Sequence, residues 1–158
     1  MNLPPIVVFD CNIFLQAMLS SRGPAAACID LFRRGEFAVA VSPFVLAEVR
    51  GLPSHPDLRR FASLTPERVE RFIIELLRTV KMVQDVPAVF EYRRDPDDAH
   101  YVNLALAAEA NMIVTRERDL LALTDAGHPD GSEFQRRFPA LRIMSPEQLI
   151  REIASSKT

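Results

Sequence analysis

The chain has little with which to staple itself together. Among 158 residues there are two cysteines, Cys11 and Cys28, with neither an even, spaced series nor the paired Cys-x-x-Cys of a zinc site. That excludes a disulfide scaffold and suits a reducing compartment. There is no run of eighteen apolar residues to cross a membrane as a helix, and the opening MNLPPIVVFD lacks the basic flank and cleavage site of a secretory signal. A cytoplasmic protein with no membrane partner is expected. Net charge is also scarce: the formal value of −2 provides no global attraction to nucleic acid, which normally shows as a strongly basic domain or stripe. Lysine is nearly absent, with Lys81 and Lys157 the two lysines among nineteen Lys and Arg residues. Any phosphate contact therefore falls to arginine, the better bidentate ligand.

What is present is the ordinary mixture of a folded protein, 48% hydrophobic and 25% charged. The length predicts a single domain over residues 1–158 with a core that needs no covalent help. Short apolar runs at 6–9, 37–41, 81–83, 112–115 and 141–144 read as strands. Helices are expected at 13–19 and 24–34, the second closed by Gly35. Four further starts share one pattern, an oxygen-bearing cap followed by proline at the first helical position: Ser42-Pro43, Thr65-Pro66, Asp95-Pro96 and Ser145-Pro146. They predict helices over about 43–50, 66–79, 96–109 and 146–154, with Gln148 completing a capping box. Residues 124–140, containing Gly127, Pro129, Gly131 and Pro139, read as a surface excursion. Alternating strands and helices predict an α/β fold: three layers, α/β/α, around a mostly parallel sheet of about five strands. Ligands in such sheets bind beyond the carboxyl ends of the strands.

Several acids are placed at that rim by local rules. Asp10 directly follows the first strand; it serves either as a cap for the next helix or as a ligand, with Asn12 able to orient it or a bound water. Glu48 lies among Phe44, Val45, Leu46, Ala47 and Val49, so its carboxylate needs a partner, either Arg50 or another arginine, or a metal. Asp98 occupies the third position of the helix capped by Asp95, where free N–H groups favour negative charge. It shares a side with Val102 and Ala105 and so points toward the core edge; the plainer alternative is an ordinary first-turn acid. Glu117 stands two residues beyond the strand-end Thr115, and Asp119 opens a short helix; otherwise Arg116 to Asp119 is a solvated turn of alternating sign.

Gathered carboxylates repel strongly unless hard divalent cations neutralise them, and oxygen-rich sites select Mg²⁺ or Mn²⁺ over Zn²⁺. One or two such metals can activate water for in-line attack on a phosphodiester without a covalent nucleophile. In that reading Asn12 and Thr115 orient ligands and water, and Arg50, Arg93, Arg94, Arg116 and Arg118 are candidates to grip phosphates. The histidines make no metal cluster: His100 lies on another side of the helix from Asp98, and His55 and His128 fall in loops.

With VVFDCN at 7–12, SPFVLAEV bearing Glu48, DPDDAHYVNLALAA at 95–108 and IVTRERDLL at 113–121, the chain resembles a PIN-domain nuclease, particularly the bacterial toxin–antitoxin branch. The resemblance runs from residue 6 to about 150. It implies metal binding by Asp10, Glu48 and Asp98. A fourth acid is usually Asp or Asn at the position held here by the longer Glu117, with Asp119 as competitor. It further implies Mg²⁺- or Mn²⁺-dependent cleavage of single-stranded RNA, a homodimer, and a cognate antitoxin that blocks the site. Two other enzymes or switches fit less well. An aspartyl-phosphate phosphatase needs a second Asp where Asn12 stands, and a phosphoacceptor signalling domain wants a lysine after the last strand, where none occurs before Lys157. A catalytically inactive PIN-like module that binds RNA or protein is a third alternative, opposed by the retention of Asp10, Glu48 and Asp98.

Overall fold

A computed structural model describes residues 3–157. Five strands, β1 (Ile6–Phe9), β2 (Ala38–Val41), β3 (Lys81–Met82), β4 (Met112–Val114) and β5 (Arg142–Met144), form one sheet in the order β3-β2-β1-β4-β5 with every pairing parallel. The helices are α1 (Cys11–Leu19), α2 (Pro24–Arg33), α3 (Pro43–Gly51), α4 (Pro66–Leu77), α5 (Pro96–Ala107), α6 (Arg118–Ala122), α7 (Pro129–Arg137) and α8 (Pro146–Ser155). Short 3₁₀ turns at Leu52–Ser54 and Pro56–Leu58 follow α3. The expected α/β fold is the observed one.

Strand order dictates where helices go. The chain steps outward from β1 to β2 to β3, then returns past β1 to β4, and right-handed crossovers place α5 on the opposite face from α1 to α4. Accordingly α1 touches α2 and α3, α3 touches α4 and α2 touches α8, whereas α5 lies on β1, β2 and β4. Strands buried on both faces must be apolar throughout, and Val7, Val8, Val39, Val41, Ile113 and Val114 are fully buried. The reversal between β1 and β4 is a topological switch point, which opens a crevice at the strands' carboxyl ends.

All four predicted cap-plus-proline starts form. Ser42 accepts from the Val45 N–H, Thr65 from Arg68, Asp95 from Asp97 and Asp98, and Ser145 makes a full capping box with Gln148. Gly35 closes α2 at φ 79°, in the left-handed region that glycine enters without strain. Differences are informative. α1 starts at Cys11 rather than near residue 13, because the Asp10 side chain accepts from the Asn12 and Ile13 N–H groups and starts the helix immediately. The strands exclude Val83, Thr115, Phe37 and Leu141 at their ends, although the Val83 and Thr115 N–H groups still bond the Val41 and Met144 carbonyls at 2.9 Å.

The excursion expected at 124–140 contains α7. His128-Pro129 repeats the cap-plus-proline pattern, with the His128 ring accepting from the Asp130 N–H at 3.2 Å. Phe134 anchors the helix by packing on Phe90 and Phe138. Gly131, which sequence alone marks as a loop residue, is instead a packing contact: a Cβ there would sit 2.0 Å from the Asp125 carbonyl oxygen. Among the described residues no helix is long and apolar enough to cross a membrane.

Replacing Gly131 by alanine therefore forces α7 away from Asp125 and costs about 1–3 kcal/mol. Gly51→Ala, at a helical position with nothing within 4 Å, is expected to be neutral or stabilising by up to about 1 kcal/mol. Urea denaturation of the two variants measures the contrast; equal stabilities would contradict the close approach.

Candidate functional site

β1 and β4 pair with Phe9 opposite Val114, so the next residues, Asp10 and Thr115, emerge side by side at the rim. Both are buried. The Asp10 carboxylate is divided between two tasks. Its Oδ1 accepts from the Asn12 N–H at 2.8 Å and the Ile13 N–H at 3.3 Å, capping α1, while its Oδ2 accepts from the Thr115 hydroxyl. Thr115 Oγ1 also accepts from the Glu117 N–H at 2.9 Å, and Asn12 Nδ2 donates to Glu117 Oε1. Asp10, Asn12, Thr115 and Glu117 thus form a closed hydrogen-bonded set across the switch point. The cap and the candidate ligand proposed for Asp10 are compatible roles of one side chain.

Asp98 arrives from the first turn of α5. It is buried, and its Oδ2 has no hydrogen-bond partner, the one such atom among the described buried side chains. Its carboxyl is pushed up from 3.8 to about 7 by burial, and then by the negative charges of Asp95, Glu117, Asp10 and Asp119. Burial likewise raises Asp10 to about 6, against the lowering effect of the bonds from Thr115 and Asn12, with Glu117 adding to the rise. Two neighbouring carboxyls with raised values mark a site short of positive charge.

Asp95 belongs here too. One oxygen each from Asp95, Asp98 and Asp119 lie within 4.8 Å of one another. Sequence reasoning gave Asp95 only the role of a cap, which it performs through Oδ1 at 3.1 Å from the Asp97 N–H. The available signal was its distance from Asp98: three residues at a helix start places both on one side. Asp119 is partly balanced by Arg94, whose Nε lies 3.1 Å from Oδ1. Both Glu117 and Asp119 act on Asp98 by their charge, Glu117 being bonded into the Asp10 set and Asp119 clustering with Asp95 and Asp98.

Glu48 is half-buried on α3. Its carboxyl is raised by burial, opposed by a hydrogen bond from Tyr101, and raised further by Asp97 and Asp95. The partner is the Tyr101 phenol and not Arg50, which is held by Glu70 at 3.1 and 3.2 Å. Other candidate phosphate ligands are similarly engaged: Arg116 bonds to Glu147 at 2.6 Å and Gln16 at 2.9 Å. Arg118 and Arg93 are exposed, and Arg93 and Arg94 line a cavity of about 240 Å³ together with Arg137. The histidines take local roles. His100 Nε2 meets Ser42 Oγ at 2.7 Å, and His55 and His128 cap short helices through Nδ1.

The donor set around Asp98 is all carboxylate, with neither histidine nor cysteine, and it holds an orphaned buried oxygen. Hard oxygen donors of this kind fit Mg²⁺ or Mn²⁺ better than Zn²⁺.

Comparisons with known proteins bear on the family and the fold. An uncharacterized protein of Methanocaldococcus jannaschii is 25% identical over 146 residues, which cover 92% of this chain and 90% of that protein. The structure of VapBC2 from Rickettsia felis bound to a DNA fragment from their promoter shares the fold, with a TM-score of 0.53 at 16% identity over 89% of this chain and 98% of that one. A family model described as PIN domain matches residues 6–119, the segment from β1 through Asp119 that holds every acid of the rim. The chain belongs to the PIN domain family, whose members are generally nucleases.

Proposed function

We propose that this protein is a Mg²⁺- or Mn²⁺-dependent endoribonuclease that cleaves single-stranded RNA in the cytoplasm, and that it is the toxin of a toxin–antitoxin pair. The observation that carries the reading is Asp98 Oδ2, a buried oxygen without a hydrogen-bond partner in a residue clustered with the carboxylates of Asp95 on the same helix start and Asp119 on α6. Burying unpaired negative charge is costly, and a divalent cation is the economical remedy. Asp10, Glu48, Asp98 and Glu117 would hold it, with Asp95 and Asp119 at the Asp98 side. When bound, the metal supplies water activation and stabilisation of the leaving oxygen.

The chain's own groups supply the rest. Thr115 and Asn12 hold Asp10 and Glu117 in fixed orientations, so little reorganisation is needed when the cation or substrate arrives. With Arg94 held by Asp119, the exposed Arg93 and Arg118 are the arginines left to offer charge-assisted bonds to phosphates, compatible with an overall charge of −2. The VapBC2 likeness in fold supports a toxin reading with an antitoxin partner, and a homodimer is part of the same proposal.

The first test is cleavage of single-stranded RNA with and without Mn²⁺. Asp10→Asn and Asp98→Asn are each expected to lower the rate at least about a hundredfold, beyond the tenfold to hundredfold typical of residues that only support a ligand. Full activity in either variant, or activity in excess EDTA, would exclude the mechanism; a wild type inert toward RNA with Mn²⁺ bound would favour the binding-only alternative.

A second test needs no substrate. Asp10 and Asp98 bind protons more tightly in the folded chain, near 6 and 7, than at the ordinary 3.8. The unfolded chain thus releases its protons first, and stability present at low pH is lost as pH rises through those values. Metal-free protein should melt several degrees lower at about pH 8 than at about pH 5, and Mn²⁺ should restore the loss at the higher pH. Asp98→Asn should flatten the metal-free dependence. A metal-free melting point that climbs over this range would contradict the assignment.

A further inference from the structure

We infer that Tyr101 is a positioning residue, fixing the Glu48 carboxylate against the start of α1 so that one oxygen is held and the other is left for a divalent cation. The inference rests on the metal-dependent reading above and adds to it a residue outside the acidic set.

One hydroxyl joins α1, α3 and α5, three of the elements that carry the acids. Tyr101 lies three residues after Asp98, on the same side of α5, and is buried. Its oxygen accepts the Cys11 N–H at 3.1 Å, the amide immediately after Asp10. It also bonds Glu48 Oε1 on α3. The direction of this second bond follows from proton counting. An amide can only donate, so the phenol oxygen is the acceptor toward Cys11, and its single hydrogen is directed to Glu48. Tyr101 is therefore held by the Cys11 N–H and donates to one oxygen of the Glu48 carboxylate.

Neighbouring groups do not duplicate the contact. Arg50 is committed to Glu70, and His100 Nε2 to Ser42. Tyr101→Phe removes the hydroxyl while preserving the ring, leaving Glu48 free to turn and the Cys11 N–H without its acceptor.

The test is Mn²⁺ binding to EDTA-stripped protein by calorimetry. Tyr101→Phe is expected to weaken binding about tenfold to a hundredfold, as losses of ligand-orienting bonds do, with cleavage recovering toward wild type at saturating Mn²⁺. If Tyr101 acts through Glu48, adding Tyr101→Phe to Glu48→Gln brings little further loss. Unchanged Mn²⁺ affinity in Tyr101→Phe, or independent additive losses, would overturn the inference while leaving the wild-type metal site intact. A wild type that binds no Mn²⁺ would instead defeat the metal reading itself. Should Tyr101→Phe not fold, a second measurement decides. The chain has two tyrosines, so fluorotyrosine incorporated into Tyr92→Phe protein reports Tyr101 alone. Its ¹⁹F resonance should shift on Mg²⁺ titration, and a silent resonance under conditions where Mg²⁺ binds would refute the role.

Discussion

Bringing several carboxylates to one partly buried rim is electrostatically unfavourable, and much of the local design near the strand ends can be understood as managing that repulsion. The low effective dielectric magnifies like-charge interaction and removes the hydration that would screen it. Hydrogen-bond donors answer part of the problem: Thr115, Asn12, Tyr101 and the N–H groups at the start of α1 each meet a carboxylate oxygen. Arg94 answers another part at Asp119. What they leave unanswered is Asp98, whose orphaned oxygen and raised carboxyl concentrate the residual demand for positive charge at one point.

The fold makes this concentration unavoidable. With β1 and β4 adjacent at the switch point, the residues following each strand emerge together, and α5 crosses behind them on the face opposite α1 to α4. At the starts of α1 and α5 the helix N–H groups meet carboxylates directly, those of Asn12 and Ile13 bonding Asp10 and those of Asp97 and Asp98 bonding Asp95, which offsets some of the rim's charge. Asp10 and Asp98 are buried at the rim, whereas Arg93 and Arg118 are exposed.

Much of this was legible in the residues. Cap-plus-proline pairs mark helix starts by local chemistry, so the caps Ser42, Thr65, Asp95 and Ser145 follow from neighbouring residues alone. The helix at 129–137 obeys the same rule but was hidden by its glycines and prolines; Gly131 is intelligible only once Asp125 is known to lie against it. The cap at Asp10 also acted earlier than expected, starting α1 at Cys11.

The sequence by itself determined that the strands alternate with helices and that Asp10, Asp98 and Glu117 stand at strand ends or first helical turns, because such placements depend on residues only a few positions away. The tertiary structure decided the partners: Tyr101 rather than Arg50 for Glu48, Asp119 beside the Asp95 and Asp98 pair, and Asn12 on Glu117. A carboxylate's partner is whichever donor packing brings within about 3 Å, and those donors come from elements separated by tens of residues whose meeting only the sheet order establishes.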